Sequence, residues 1–213
     1  MVRPSIVMAA LVASSVLAVP AHARTKFKTA WKSPQAAQVT LESGDKVLAM
    51  VMTTRDDTRN GAEAALAQEL EKRGVEAIPA YTVIPKSLIH DEKKARPYVE
   101  KTGSKYALIM RVVGEDKDIK GSGPQYTSVY TGPYYGGLYG GYWGFGWGVA
   151  YNAGNMEIDT KVSVETLLYD LGTDKLIWAG MSETANPSTA LKFIKDLVNH
   201  VASEMRKQGL FRK

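Results

Sequence analysis

The chain has 213 residues, no cysteine and a formal net charge of +5, and its basic residues are scattered among acidic ones. The lack of cysteine excludes disulfides, thiolate metal sites and a cysteine nucleophile. The mild, mixed charge argues against a nucleic-acid partner, because phosphate-binding surfaces concentrate Lys and Arg.

The first 23 residues have the layout of a secretory signal peptide. Arg3 precedes the apolar run Ile6–Val19, which is too short to span a bilayer, and Pro20 leads into the cleavage motif Ala21-His22-Ala23. The alternative, a buried N-terminal helix, does not account for the proline and the cleavage motif. The sequence therefore predicts an exported, periplasmic or secreted protein that begins at Arg24. Because no cysteine follows the motif, we expect no lipid anchor.

The next segment predicts the order β-α-β-α-β. Compact apolar runs indicate three strands, at Lys46–Thr54, Val75–Tyr81 and Tyr106–Val113. Asn60, with Glu63 in capping-box spacing, is expected to begin the first helix, and Gly74 to end it. A second helix is expected from about Asp91 to Thr102, although Pro97 disfavours it outside the first turn.

The later segment predicts an antiparallel hairpin and a last helix. Residues alternate between apolar and polar from Met156 to Glu165, and Leu176–Trp178 follows a glycine-containing turn. Asn186-Pro187-Ser188 is expected to open the helix and Gly209 to close it. Its predicted buried stripe consists of Leu191, Ile194, Leu197, Val198, Val201 and Met205.

These elements predict one α/β domain over residues 24–213. A parallel start followed by antiparallel hairpins and a C-terminal helix gives one mixed sheet with helices packed on it. A Gly- and aromatic-rich insertion is expected at about 121–155. It contains no charged residue between Gly121 and Met156.

Several segments resemble a broad family of uncharacterised exported bacterial envelope proteins, many of them lipoproteins. More distantly, the order resembles the α/β domains of the curli-secretion lipoprotein, the TolB amino-terminal domain and the lipoprotein activators of penicillin-binding proteins. The resemblance implies an envelope protein that binds partners and is not an enzyme. It rests on Thr29-Ala30-Trp31-Lys32, Lys46–Thr54, Glu71–Ala77, Ala80-Tyr81-Thr82 with Ile84-Pro85, Thr166–Asp170 and Lys175–Gly180.

No enzyme motif is found in the sequence, so we expect no catalytic residue, no metal and no cofactor. The sequence lacks Walker A, G-x-S-x-G and H-E-x-x-H patterns, and no helix pattern follows the glycines at 144, 146 and 148. His200 is expected on the exposed side of the last helix, and His90 beside a helix cap at Asp91.

The segment Arg55–Asn60 is a candidate ligand loop. It follows the first strand and precedes the first helix, at the edge of a parallel sheet where ligands often bind. Two arginines and two carboxylates there could hold a polar ligand; the alternative is a charged, solvated loop beside a helix end. The candidate residues are Arg55, Asp56, Asp57 and Arg59.

The tract Gly132–Tyr151, with eight glycines and eight aromatic residues, is the other candidate site. From Trp143 large residues alternate with glycine or alanine, which predicts a strand with one apolar face, and Tyr134–Gly141 is expected to be loop. Three interpretations stay open: a flexible or core-completing segment, a binding surface, or a membrane-inserting hairpin that requires an oligomer. The candidate binding residues are Tyr139, Tyr142, Trp143, Phe145, Trp147 and Tyr151.

The favoured hypothesis is a non-catalytic accessory protein of the periplasm or cell envelope. Its partner would be an envelope protein or a peptidoglycan-type polymer, with peripheral outer-membrane contact and self-association left open. One alternative is a small-ligand-binding protein or enzyme that uses Arg55–Asn60. The other is an oligomeric protein that inserts its aromatic hairpin into the outer membrane.

Overall fold

A computed structural model describes residues 24–37, 39–53, 55–113, 135–148, 161–185 and 189–211. The predicted signal peptide at 1–23, Tyr151, and the beginning of the alternating segment at Met156 lie outside the described residues. So do most of the predicted insertion at 121–155 and the predicted helix opening at 186–188. The single-domain boundaries therefore stay a prediction.

One six-stranded mixed sheet organises the fold, with strand order β1-β6-β5-β4-β2-β3. Strand β2 pairs in parallel with β3 and β4, and the other neighbours are antiparallel. The predicted α/β class and the parallel start with antiparallel hairpins are confirmed. The strands are β1 (Arg24–Lys32), β2 (Lys46–Met52), β3 (Glu76–Pro79), β4 (Tyr106–Val113), β5 (Lys161–Asp170) and β6 (Lys175–Ala185).

Strand β2 shows why the sheet forms, since it is buried on both faces. Val47, Ala49 and Val51 lie in one core and Leu48 and Met50 in the other. A continuous apolar run is the sequence signature of such a central strand. The strand ends at Met52, two residues earlier than the predicted end.

Strands β5 and β6 form the predicted hairpin, and β6 continues to Ala185. The turn between them contains Asp174, at φ 51°. Strand β1, which the sequence reasoning did not predict, pairs with β6 along one edge of the sheet. Its lysines alternate with half-buried residues, so the segment lacks the apolar run that marked the other strands.

Helices cover both faces of the sheet. They are α1 (Asp56–Glu71), the short α2 (Ala80–Val83), α3 (Glu92–Lys101), α4 (Trp143–Gly148) and α5 (Ala190–Lys207), with 3-10 turns at Pro34–Ala36 and Lys86–Leu88 and a π-helical turn at Leu138–Tyr142. Helices α1 and α5 pack on one face, and α3 and the aromatic tract on the other. No helix in the described ranges is both long and apolar enough to cross a bilayer.

The start of α1 differs from the prediction. The helix begins at Asp56, so Asn60 lies inside it and does not cap it. Asp56 and Asp57 stabilise the new first turn because carboxylates interact favourably with the positive end of a helix. Gly74, at φ 87°, follows the helix as expected.

The other long helices largely follow the prediction. Asp91 caps α3 through a hydrogen bond from the Lys94 N–H, and the helix continues through Pro97. Thr189 caps α5 in the same way, and Gly209 ends it at φ 75°. The predicted buried stripe is wrong at Leu191, which is 65% exposed in the first turn.

The predicted strand is wrong at Trp143–Gly148, and the predicted loop is wrong from Leu138 to Gly141. Leu138–Tyr142 forms a π-helical turn that runs directly into α4. The cause is close packing on the sheet: a Cβ at Gly146 would collide with the Met52 sulfur and lie 3.0 Å from the Tyr142 ring. Glycine disfavours an isolated helix, so tertiary contacts overcome local preference here.

Candidate functional site

The aromatic tract turns its rings toward the sheet. Tyr142 and Trp143 are fully buried, Tyr139 and Trp147 nearly so, and Phe145 is half-buried. The Trp143 indole N–H donates to the Ile89 carbonyl at 2.9 Å. Among the described candidate residues, these rings complete a core and do not present a broad outer surface. A binding role for them stays a prediction.

A buried polar network fixes the tract to the sheet. Arg111 of β4 donates from Nε and Nη2 to Glu165 Oε2 of β5, at 3.0 and 2.8 Å. Tyr142 donates its hydroxyl to the same oxygen at 2.8 Å, and Tyr135 donates to Glu165 Oε1 at 2.9 Å. Each of these side chains has a hydrogen-bond partner, so the network holds the tract in one position on the sheet.

The network shifts the pKa of its members. Burial, followed by the Glu165 charge, raises the pKa of the Tyr142 hydroxyl well above its usual value. Burial alone would lower the pKa of Arg111, but Tyr142 and Glu165 beside it raise the pKa overall. The guanidinium therefore stays charged and the phenol stays protonated, as the hydrogen bonds require.

The predicted ligand loop divides into two parts. Arg55 and Asp57 form an exposed ion pair at 2.6 Å, away from the cavity described below. Asp56 binds Lys86 Nζ at 2.7 Å, and that hydrogen bond is the main reason that its pKa is lowered. Arg59 lies one turn into α1 and is 3% exposed. The structure thus separates the four candidates into a surface pair and a cavity pair.

A cavity of about 530 Å³ opens where β2 ends. Thr53 follows that strand directly, so the cavity lies at the carboxyl edge of the parallel strands, where open α/β sheets bind ligands. Its lining joins the start of α1, the turn at Lys86–Leu88 and the end of α4. The lining residues are Thr53, Asp56, Arg59, Lys86, Ser87, Ile89, His90 and Trp147. One residue from the aromatic tract and two from the loop therefore meet at one cavity.

Three donor atoms on two of the lining residues lack acceptors. Within the described part of the chain, Arg59 Nε and Nη1 and Trp147 Nε1 are buried without a hydrogen-bond partner. Arg59 Nη2 lies 3.5 Å from Asp56 Oδ1. Unpaired buried donors cost free energy, and a buried charge costs more. All three atoms are closed to solvent in the structure.

Glu63 lies one turn beyond Arg59 and is fully buried. Its carboxylate accepts the Val51 N–H at 3.1 Å and the Tyr81 N–H at 2.6 Å, so the predicted capping role is wrong. Burial raises the pKa of Glu63 to about 7, against the opposing effects of the two N–H groups and the Arg59 charge. Near neutral pH this carboxyl therefore neutralises Arg59 only partly.

The cavity shows no assembled nucleophile. The His90 ring packs edge-on against Trp147 with 4.7 Å between ring centroids. Nucleophilic catalysis requires a base that is hydrogen-bonded to the attacking hydroxyl. Across the described residues, no hydrogen bond joins His90 or Asp56 to the hydroxyl of Ser87 or Thr53. No group of three potential metal ligands was found in that same part of the chain.

Sequence reasoning missed most of the lining. Thr53, Lys86, Ser87 and Ile89 were not singled out, and Glu63 was given a different role. The position of Thr53 directly after a parallel strand was a usable signal. Lys86 and Ser87 carried none, because their place depends on how the chain folds back after β3.

No protein-family model matches the chain. No curated protein matches it either. The structure is similar to that of a single-substitution variant of the PelC dodecamer from Paraburkholderia phytofirmans. The two sequences are 17% identical, the match covers 90% of this chain and 99% of that chain, and the TM-score is 0.46. A second structure of the PelC dodecamer from the same organism gives 12% identity, 90% and 100% coverage, and a TM-score of 0.44.

Proposed function

We propose that this protein is an exported, non-catalytic binding protein that holds a polar small molecule, or one unit of an envelope polymer, in the Arg59 cavity. The carrying observation is a cavity of about 530 Å³ whose lining brings the cations Arg59 and Lys86 together with Asp56 and the Trp147 ring. Small-ligand sites typically measure roughly 300–1,000 Å³ and carry a few convergent polar groups. The signal-peptide layout supports export.

The cavity favours binding over catalysis. Asp56 is engaged with Lys86, and His90 contacts Trp147 without a hydroxyl partner in the described chain. What the lining offers is charged and aromatic side chains held by packing, and such groups orient a ligand. This proposal keeps the accessory role predicted from the sequence. It assigns binding to the Arg59 cavity and not to an aromatic surface. Self-association and contact with the outer membrane stay predictions.

The test is thermal stabilisation of the full exported chain by a panel of neutral saccharides, carboxylates, phosphates and cationic amines. Ser87→Trp fills the exposed rim of the cavity, and Ser203→Trp on the outer side of α5 is the matched control. We expect at least one class to raise the melting temperature of wild type and Ser203→Trp but not of Ser87→Trp. Equal shifts in all three proteins, or no shift with any class, would overturn the proposal.

A further inference from the structure

We infer that the Glu63 carboxyl is a proton-sensitive link, which holds the chain that leaves β3 against the end of β2 and thereby sets one wall of the Arg59 cavity. The inference concerns the protein by itself, so it goes beyond the proposed function and does not depend on it. It begins from a fully buried carboxyl that accepts hydrogen bonds from two separate elements. A change at this one group therefore reaches both elements.

Glu63 takes the place of a strand at the end of β2. Strand β3 ends at Pro79, opposite Ala49, whereas β2 continues to Met52. Val51 therefore has no β3 residue opposite it in the described sheet, and its N–H is accepted by Glu63 Oε1 at 3.1 Å. Buried backbone N–H groups need such an acceptor. A side chain from α1 thus completes the hydrogen bonding where the sheet stops.

The other carboxyl oxygen holds the start of the cavity wall. After β3 the chain turns into α2, and the Tyr81 N–H donates to Glu63 Oε2 at 2.6 Å. Only a few residues further on, Lys86 and Ser87 line the cavity. The chain between them is short and structured, since α2 leads almost directly into the next 3-10 turn. A shift at Tyr81 is therefore passed to the lining.

The charge on Glu63 decides how strong both hydrogen bonds are. An ionised carboxylate accepts through both oxygens, and charge-assisted bonds are roughly twice as strong as neutral ones. A protonated carboxyl carries a hydrogen on one oxygen, which then acts as a donor. Protonation therefore removes the charge assistance from both N–H groups and weakens at least one of the two bonds further. The two protonation states differ in how firmly they hold α2 to β2.

The surroundings place this change near neutral pH. Burial raises the pKa of Glu63 to about 7, against the two N–H groups and the Arg59 charge, which lower it. Arg59 acts from the same helix, and the groups of β2 and α2 that face the carboxyl are backbone N–H groups. Asp56, which holds Lys86, has a lowered pKa and stays ionised over the same range. The link therefore tightens as the pH rises through 7, while that ion pair is unchanged.

The test is a pH titration of the amide signals of the full exported chain by nuclear magnetic resonance, from pH 5 to 8.5. Histidine ordinarily changes charge in this range, so every protein in the test carries His90→Gln. We expect the amide protons of Val51 and Tyr81 to titrate with a midpoint near pH 7, and those of Lys86 and Ser87 to follow with the same midpoint.

Hydrogen exchange gives a second measurement on the same samples. After correction for the intrinsic exchange rate, the protection of the Tyr81 N–H should be about fivefold lower at pH 5.5 than at pH 8.5, because charge assistance is lost. The Lys94 N–H is an internal reference. Its acceptor, Asp91, has a lowered pKa, so Lys94 should show no titration in this range.

Two variants assign the titration to Glu63. Glu63→Gln keeps the size of the side chain but has no proton to lose, so it should abolish the titration at all four amides. Glu71→Gln changes an exposed acid on the same helix and is the matched control. It should keep the curves of the parent protein.

Three results would overturn the inference. Unchanged amide signals at Val51 and Tyr81 would show that Glu63 does not titrate in this range. Titration there without Lys86 and Ser87 would show that the proton does not affect the wall, and unchanged curves in Glu63→Gln would assign the titration to another group. If Glu63→Gln does not fold, the parent titration still decides the first two. None of these results bears on ligand binding, which the melting-temperature panel tests separately.

Discussion

Tyr142 donates its hydroxyl hydrogen bond to Glu165 Oε2 at 2.8 Å, which joins the aromatic tract to strand β5 inside the protein. The same oxygen accepts two hydrogen bonds from Arg111. The tract is therefore fixed by a charged group that the sheet itself supplies. The position of Trp147 in the cavity depends on that attachment, because α4 continues directly from Tyr142.

Removal of Glu165 should destabilise the protein more than removal of the tyrosine hydroxyl. We expect Glu165→Ala to lower the free energy of unfolding by about 3–5 kcal/mol, because Arg111 would be left as an unpaired buried charge. Tyr142→Phe should lower it by about 1–2 kcal/mol. Urea denaturation at pH 7.5 measures both. Equal losses would show that the ion pair does not govern the network.

Stability should fall as the pH rises toward neutrality, through Glu63. Its pKa is about 7 in the folded protein, against 4.5 as the ordinary value, so the folded state binds the proton more tightly. The resulting stabilisation is complete below about pH 4.5 and is lost as the pH rises through 7. Its full size is about 3 kcal/mol.

The free energy of unfolding, measured in urea from pH 4.5 to 8, tests this prediction when wild type is compared with variants. We expect Glu63→Gln to remove this part of the pH dependence, whereas Glu71→Gln, at an exposed position on the same helix, should keep it. Parallel curves for wild type and Glu63→Gln would show that Glu63 ionises normally.

Arg59 and Arg111 should respond in opposite ways to the same substitution. At pH 5, where Glu63 is protonated, Arg59→Met should leave the free energy of unfolding unchanged or raise it by up to about 2 kcal/mol, since an incompletely paired buried charge is replaced by an apolar chain. Arg111→Met should cost about 3–5 kcal/mol because Glu165 loses its partner. Calorimetric and denaturant unfolding would measure the contrast, and a large loss in both variants would give Arg59 a structural role instead.

Substitution of two glycines in α4 should show whether this segment is a helix or a strand. Gly144→Ala adds a methyl group that meets nothing within 4 Å, so it should raise the free energy of unfolding by about 0.5–1 kcal/mol through better helix propensity. Gly146→Ala places its methyl group against Met52 and Tyr142, and should lower it by about 1–3 kcal/mol despite the same propensity gain. A strand, in which Gly144 and Gly146 share one bare face, would give both substitutions the same sign.

The sheet could be predicted because its strands are either uniformly buried or strictly alternating. Tyr106–Val113 was predicted with the bounds that the structure gives, since a buried central strand leaves an uninterrupted apolar run. Strand β1 was missed because an edge strand with alternating lysines has no such run. The fold class followed from order and length alone.

The candidate site could be predicted only in part. The alternation from Trp143 has a period of two, yet those residues are helical, because glycine allows the helix to approach Met52 closely. Arg59 was expected in a loop before the first helix, and the earlier start of α1 places it in the helix, where it is buried. Both errors arise from contacts with distant residues, which a local pattern does not contain.

Val113 of β4 and Ser163 of β5 face each other in register, so the chain leaves the sheet and returns to it at adjacent points. The sheet consequently sets no length for the segment between them, and loop-closure entropy changes only slowly with length. The firm geometric requirement is that Tyr135 and Tyr142 reach Glu165. The place of Trp147 at the cavity therefore depends on this anchor, and the sheet does not fix how much chain leads to it.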